Sequence, residues 1–194
     1  MIKCVKYSGK KTSSVELDKV NLIRDRVWVN VISPNEKELD KLKNKFKLYA
    51  RDLVDSLDEN EIPRLSTRDR YSFIVFRSLI GKNSVPVGIF LSKNFIITIH
   101  AKPLKPISTF FKIMFTSEGP EFFGRGIDFL FYKIVSEMNR NLHKDLNDFD
   151  DKLDAIEYKV LKNKMNNINE IFPLKKQISR YGRAISSNLE IIDK

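Results

Sequence analysis

Alternating apolar and polar positions predict a series of β-strands in the first half of the chain. These runs are rich in β-branched and aromatic residues and are separated by short polar turns. The last three runs are apolar at almost every position, which predicts a sheet that is covered on both faces. The predicted strands are Met1–Tyr7, Ser13–Leu17, Val27–Val31, Tyr71–Ile80, Val85–Leu91 and Phe95–His100.

Apolar residues spaced three and four positions apart predict helices between and after the strands. At the start of the first helix, Ser33 and Glu36 have the spacing of a capping box, and Pro34 suits the first helical position. The Gly- and Pro-containing segment Ser117–Gly126 predicts a loop. The predicted helices are Pro34–Lys47, Ala50–Leu57, Ile107–Phe115, Asp128–Lys162 and Pro173–Lys194.

The last third of the chain differs in character, because its helical pattern continues from Asp128 to about Lys162 without Gly or Pro. A helix of that length measures ~50 Å, too long to lie wholly across one small domain. An Asn-rich break, Asn163–Asn169, precedes the final helix. We therefore expect an α/β domain at 1–126 and two long antiparallel helices at 127–194. The final helix reaches Lys194 without a glycine cap, so we expect a truncated chain.

Composition and charge narrow the class of protein. The chain has 194 residues, of which 42% are hydrophobic, with one cysteine and a formal net charge of +10. This is a folding composition, and a lone cysteine excludes a disulfide framework. No apolar run approaches the ~20 residues of a membrane span and no secretory signal is visible, which favours a reducing cytoplasmic compartment. The positive charge leaves a basic nucleic-acid-binding module open as an alternative function.

The potentially reactive side chains do not predict an enzyme. His100 and His143 lie on different elements, Cys4 has no obvious partner, and Gly124–Gly126 lacks the preceding strand and third glycine of a phosphate loop. We expect structural roles for both histidines, because zinc needs three or four convergent ligands. A metal-dependent hydrolase would need two acidic groups in one pocket, which no spacing establishes.

Two acidic clusters could attract a hard cation such as Mg²⁺, which prefers oxygen ligands. On the long predicted helix, Asp150, Asp154 and Glu157 share roughly one face. The other cluster surrounds the short helix before Pro63. From the pattern alone, we interpret the first as a solvated face and the second as surface charge with capping duties. The second cluster consists of Asp52, Asp55, Asp58, Glu59 and Glu61.

The order of motifs along the chain resembles the soluble part of the CorA family of magnesium channels. An aspartate-bearing helix leads into a Pro-Arg stretch, a polar turn with Tyr and a strand, and a later hairpin ends in Thr-x-His. Each motif is short, and it is their order over nearly the whole chain that carries the resemblance. The segments are Asp55–Leu65, Asp69–Tyr71, Phe73–Arg77, Gly88–Leu91, Asn94–His100, Asp128–Ile134, Asp150–Glu157 and Leu174–Ile178.

The resemblance implies both a fold and a function. The implied fold is an α/β/α sandwich with a mixed β-sheet between helical layers, followed by the two long helices. Family members are homopentameric channels that pass Mg²⁺, and often Co²⁺, and are anchored by C-terminal transmembrane helices. By this resemblance the chain is the regulatory domain on the cytoplasmic side of the inner membrane, where Mg²⁺ bound between subunits closes the pore. Neither an enzyme activity nor a nucleic-acid partner is implied.

The resemblance also assigns residues. Asp55 matches the family aspartate that contributes to the inter-subunit Mg²⁺ sensor, and the acidic face of the long helix matches the family's cation-attracting helices. Val54 stands where some members carry a second acidic sensor residue, and Ser136 where some carry an aspartate for a further metal. We therefore expect a sensor that holds fewer ions or binds them through water.

Overall fold

In the described part of the chain, residues 1–80, 83–161 and 171–192 of a computed structural model, seven strands form one mixed sheet. The description covers the side chains of these residues except 80, 141–150 and 159–161. The strands are β1 (Ile2–Ser8), β2 (Lys11–Val15), β3 (Arg26–Ile32), β4 (Arg64–Thr67), β5 (Ser72–Ile80), β6 (Asn83–Leu91) and β7 (Phe95–His100). Their spatial order is β2-β1-β3-β7-β6-β5-β4.

Helices occupy the connections and the end of the chain. They are α1 (Glu36–Phe46), α2 (Ala50–Asp55), α3 (Lys105–Ile113), α4 (Gly119–Gly124), α5 (Ile127–Leu161) and α6 (Ile171–Ile192), with a short 3-10 helix at Leu17–Lys19. The long helix predicted from Asp128 and the final helix are both confirmed. The predicted Asn-rich break at 163–169 lies outside the described residues.

The sheet consists of two antiparallel blocks joined by one parallel contact. Strands β2, β1 and β3 form one block, and β7, β6, β5 and β4 form the other. The joint is the parallel pair of β3 and β7, in which Trp28 lies beside Ile96 and Asn30 beside Thr98. The long crossover that a parallel pair requires contains α1, α2 and three strands of the second block.

Both faces of the central strands are buried, as the apolar runs predicted, whereas the edge strands β2 and β4 are partly exposed. One face, which includes Trp28 and Ile96, packs against α3, α4 and the first part of α5. The opposite face, which includes Val29 and Ile97, packs against α1 and α2. Alternation along each strand therefore sends successive side chains into two separate apolar layers.

A chain of buried polar side chains links β3 and β7 inside this core. The indole Nε1 of Trp28 donates to Oγ1 of Thr98 at 3.1 Å, and that hydroxyl donates to Oδ1 of Asn30 at 3.1 Å. Nε2 of His100 lies 3.0 Å from the Asn30 side-chain oxygen, and Nδ1 lies 2.6 Å from the carbonyl of Lys102. Since buried polar groups are costly without partners, these contacts favour a single register of the parallel pair.

Several element boundaries differ from the predicted ones. The cap of α1 is Asn35 and not Ser33: the Asn35 side chain accepts the Glu38 N–H, and the Glu38 carboxylate accepts the Asn35 N–H. Ser33 instead adopts φ 46° and donates its N–H to the His100 carbonyl. Pro34 therefore precedes the helix. The predicted capping box was wrong because two such spacings overlap here, and the amino terminus also binds Glu38 at 3.0 Å.

Other differences concern short elements. The segment predicted as a loop, Ser117–Gly126, contains the helix α4. The second strand begins at Lys11 and ends before Leu17, which belongs to the 3-10 helix. Strand β4 was not predicted, because its four residues give too short an alternation to recognise.

The two long helices contribute to the same apolar clusters as the sheet. Ile134 and Met138 of α5 and Ile191 of α6 are buried in the cluster that contains Trp28. At their other ends, Ile156 packs in a smaller cluster with Leu174 and other α6 residues. The expected boundary between 126 and 127 stays a prediction about where an independently folding unit ends.

Gly88 of β6 gives a direct test of how closely α2 approaches the sheet. A Cβ at this position would overlap the buried side chain of Ser56 and lie 3.1 Å from its Cα. We expect Gly88→Ala to lower the free energy of unfolding by about 1–3 kcal/mol, as overpacked cores do. Urea unfolding followed by circular dichroism measures the change.

The matched control is Gly182→Ala in α6, where an added Cβ has no atom within 4 Å. There, alanine removes backbone freedom in a helix and should raise stability by about 0.5–1 kcal/mol. Equal effects of the two substitutions would contradict the close packing of Ser56 on Gly88.

His100 makes stability depend on pH. Burial lowers its pKa, although the hydrogen bond to the Lys102 carbonyl acts in the opposite direction. The folded state therefore favours the neutral ring, with Nδ1–H donating to the Lys102 carbonyl. Because the unfolded chain binds this proton more readily, the stabilisation is complete above about pH 6.5 and is lost as pH falls below it.

We expect the free energy of unfolding to decrease between pH 7.5 and 5.5, by at most about 1.4 kcal/mol per pH unit from this group. His100→Gln should be less stable at pH 7.5 and show a flatter profile over the same interval. Urea titrations at several pH values measure both. An unchanged slope in the variant would assign the pH dependence to other groups.

Candidate functional site

The acidic residues of α2 face two arginines of the edge strand. Asp52 and Asp55 are three positions apart on α2, and this spacing puts both carboxylates on one side of the helix. Arg64 begins β4 and Arg68 follows its end; the even spacing along extended chain directs both to one face. Helix periodicity and strand periodicity thus bring two carboxylates against two guanidinium groups.

Asp52 is completely buried within this arrangement. Arg68 donates to it through Nε at 3.1 Å and through Nη2 at 2.7 Å, in a two-pronged contact. The Tyr71 hydroxyl donates to the same carboxylate at 2.7 Å and accepts the backbone N–H of Tyr49 at 3.0 Å. The hydrogen bonds to Asp52 raise the pKa of Arg68, and burial raises the pKa of Tyr71.

Asp55 is 8% exposed and is held by a second arginine. Nη2 of Arg64 donates to Oδ2 of Asp55 at 2.6 Å, and Nε of the exposed Arg51 lies 3.6 Å from the same oxygen. Arg64 also lies over the Phe73 ring, with its central carbon 5.5 Å from the ring centroid. Its Nε is buried without a hydrogen-bond partner, 3.4 Å from a carboxylate oxygen of Glu61.

These contacts correct the interpretation of the α2 cluster as surface charge. Asp52 and Asp55 are buried ion-pair partners, whereas Asp58 has the expected local role and accepts the Asn60 N–H at 2.9 Å. The sequence does contain a signal, because two aspartates at helical spacing are followed by two arginines at even spacing after Pro63. That signal becomes interpretable once β4 is recognised as a strand, because Arg64 and Arg68 then face the same side and reach the two aspartates.

The other predicted cluster, Asp150, Asp154 and Glu157, lies on α5. Asp154 and Glu157 are exposed there, and the side chain of Asp150 lies outside the described residues. Val54, next to Asp55, is 63% exposed, and Ser136 donates its hydroxyl to the Tyr132 carbonyl. Among the residues whose side chains are described, 1–79, 83–140, 151–158 and 171–192, no group of three or more His, Cys, Asp or Glu could hold a metal ion.

The two other candidate reactive side chains, His100 and Cys4, are both buried. His100 is fully buried in the polar chain between β3 and β7, as expected for a structural histidine. Cys4 is a buried residue of β1, and burial raises the pKa of its thiol to about 12. A thiol in that state is a poor nucleophile, because the thiolate is the reactive form.

Asp52 should contribute more to stability than its exposed neighbours. We expect Asp52→Ala to lower the free energy of unfolding by about 2–4 kcal/mol, because Arg68 and Tyr71 lose their shared partner. Tyr71→Phe, which removes one hydroxyl, should cost about 1 kcal/mol. The control Asp69→Ala, at an exposed turn position, should change stability by less than about 0.5 kcal/mol. If urea unfolding gave Asp69→Ala and Asp52→Ala equal losses in the free energy of unfolding, this result would contradict the buried ion pair.

Comparison with known proteins identifies the family of the chain. The family model of CorA-like Mg²⁺ transporter proteins matches residues 24–194. The cobalt/magnesium transport protein CorA of Methanocaldococcus jannaschii is 28% identical over 170 residues, which cover 86% of this chain and 54% of that protein. The chain thus spans about half the length of this curated relative.

Solved structures share the fold. The soluble domain of CorA from M. jannaschii has a TM-score of 0.84 and 27% identity, covering 97% of this chain and 76% of that one. The complete CorA magnesium transporter of that organism also has a TM-score of 0.84. Its identity is 26%, and the match covers 97% of this chain and 60% of that one. The ZntB cytoplasmic domain from Vibrio parahaemolyticus, at 10% identity and a TM-score of 0.67 over 96% of this chain and 88% of that one, shares the fold alone.

None of the described helices is both long and apolar enough to span a membrane. The match to the family model covers most of the chain, and the sheet and long helices agree with the soluble domain of a member. The chain belongs to the family of CorA-like Mg²⁺ transporter proteins, which are transporters and not enzymes.

Proposed function

We propose that this chain is the regulatory domain of a CorA-type channel and closes the pore when Mg²⁺ binds between neighbouring subunits on the cytoplasmic side of the membrane. The observation that carries the proposal is the match of the family model to residues 24–194, supported by the likeness to a complete CorA magnesium transporter over 97% of the chain. Mg²⁺, and Co²⁺ as in the name of the M. jannaschii relative, are then cargo as well as regulators.

The assembly belongs to the same proposal. A homopentamer anchored by transmembrane helices would bring equivalent surfaces of neighbouring copies together. An inter-subunit site would then need only one carboxylate from each surface, because Mg²⁺ keeps several waters and binds through one or two carboxylates. The α/β/α layering and the pairing of α5 with α6 would form the rigid body that transmits the change.

Asp55 is the residue proposed to contribute to the sensor. Its carboxylate is the hard oxygen donor that Mg²⁺ prefers, so the residue fits as one ligand of a shared site. Arg64 and Arg51 oppose that role, because both place positive charge at Oδ2. A cation at Asp55 must therefore compete with Arg64, which lowers its affinity. Weak binding suits a sensor that has to release its ion within the cellular concentration range.

The exposed Asp154 and Glu157 of α5, together with Asp150, are proposed to raise the local concentration of cations near the domain. Such a field acts over about 8–10 Å at physiological ionic strength, so its effect should decrease with added salt. This role requires no fixed coordination geometry.

Mg²⁺ flux in the transporter that contains this chain tests the sensor. In liposomes with an entrapped Mg²⁺-sensitive dye, Asp55→Asn should raise the Mg²⁺ concentration that half-closes the pore by about tenfold, which corresponds to ~1.4 kcal/mol. Arg64→Gln should lower that concentration, by about threefold or more, because it removes the competing cation.

The matched control is Arg51→Gln, which removes the same charge from an 85% exposed side chain at the longer distance of 3.6 Å. Its effect should be small, since exposed ion pairs contribute little. Thermal melts of all three variants separate misfolding from altered gating. An unchanged half-closing concentration in Asp55→Asn would remove Asp55 from the sensor.

A further inference from the structure

A cleft of about 570 Å³ separates the segment that follows α2 from α6. Residues 59–63 form one wall, Arg77 of β5 and Ser84 of β6 form the floor, and α6 forms the opposite wall. Arg180, Arg183 and Ser187 point into it from α6, at the three- and four-residue spacing of one helical face. This volume lies within the range of pockets for small molecules.

Arg77 is fixed at the floor of the cleft by main-chain and side-chain acceptors. Its Nη1 donates to the carbonyls of Glu59 and Glu61, both at 2.9 Å. Its Nη2 donates to the carbonyl of Ser84 at 2.7 Å, and its Nε to the hydroxyl of the same serine at 2.9 Å. No carboxylate in the described part of the chain forms an ion pair with it. The cleft therefore has a rigid positive charge that its hydrogen bonds orient without neutralising.

The remaining charges of the lining are also predominantly positive. Lys102, Arg180 and Arg183 join Arg77, against the carboxylates of Glu59 and Glu61. The Glu61 carboxylate lies beside Arg64 outside this group, at 3.4 Å. Among the described residues, neither Lys102 nor Arg183 takes part in an ion pair. Three cations that form no ion pair among the described residues thus converge on the cleft: Arg77, Lys102 and Arg183.

A larger groove beside β1 and β2 shows why the cleft is the better candidate. That groove is also rich in lysine, but its acidic residues pair with its cations. Lys19 lies 2.9 Å from Glu16, Lys41 lies 3.8 Å from Asp18, and Glu38 binds the amino terminus. Lys3, Lys37 and Lys112 form no ion pair among the described residues, but the cations that line the groove are lysines alone, whereas the cleft presents the guanidinium groups that match phosphate oxygens.

We propose that the cleft between residues 59–63 and α6 binds the phosphoryl groups of a small polyphosphate anion. Guanidinium groups match phosphate oxygens in geometry, and hydroxyls such as that of Ser187 add neutral donors. The volume admits more than one phosphoryl group. The source is either a free polyphosphate or the polyphosphate of a nucleotide, which share this chemistry.

Binding in the cleft would fasten α6 to the sheet. The Asn188 side chain of α6 accepts the backbone N–H of Arg77 at 2.8 Å and donates to its carbonyl at 2.8 Å. Arg77 therefore contacts α6 through its backbone and the 59–63 segment through its side chain. An anion bound to both Arg77 and Arg183 would form a second link between β5 and α6. A metabolite in the cleft would then restrain the long helices.

Titration calorimetry of the 194-residue chain with pyrophosphate and with ATP, at about 0.15 M salt without added metal, tests the proposal. We expect one site per chain. Arg183→Glu should weaken the affinity for both probes about tenfold or more. The matched charge reversal Lys37→Glu, in the groove beside β1 and β2, should weaken it less than about twofold. Ser187→Ala should weaken it modestly without a change of charge.

Comparison of ATP with pyrophosphate distinguishes a nucleotide from a free polyphosphate as the ligand. Equal affinity for pyrophosphate and ATP supports recognition of the phosphoryl groups alone, and tighter binding of ATP supports a nucleotide. Equal weakening by Arg183→Glu and Lys37→Glu would overturn the proposal, because it would show attraction by net charge only. Absence of binding to both probes at about 1 mM would also overturn it.

Discussion

The single parallel contact between β3 and β7 is the joint on which the rest of the structure depends. Among the described residues, this pair alone joins the two antiparallel blocks by backbone hydrogen bonds. Its strands are buried on both faces, so a shift of one residue would move every side chain to the wrong layer. The buried chain from Trp28 through Thr98 and Asn30 to His100 adds polar contacts that a shifted register would leave unpaired.

The position of α2 follows from that sheet. Ser56 rests against Gly88 of β6, and Asp52 is bound by Arg68 and Tyr71 from the two ends of the β4–β5 turn. A six-residue helix has little stability of its own, so these contacts are needed to hold it. Asp55 consequently lies on an element that is held in place, and Arg64 sets its electrostatic environment.

The attachment of α6 depends on where β4 ends. Pro63 cannot continue the ladder beside β5, and beyond it the Arg77 backbone has no strand neighbour on that side. Asn188 supplies the missing donor and acceptor with its amide, so α6 substitutes locally for a strand. The same place brings the 59–63 segment, β5 and α6 around one cleft, which connects the surroundings of Asp55 to the long helices.

The sequence by itself determined the elements whose signal is local or repeated. Runs such as Phe95–His100 indicate buried strands because they are short, rich in β-branched residues and bounded by polar turns, and the pattern from Asp128 is long enough to specify a helix. The order of motifs was also sufficient for the family. Tertiary structure decided between Ser33 and Asn35 as the cap of α1, because the amino terminus reaches Glu38 from a distant part of the chain. It also decided that Asp52 and Asp55 are buried ion pairs, since their partners lie on a strand that only the completed sheet places beside α2.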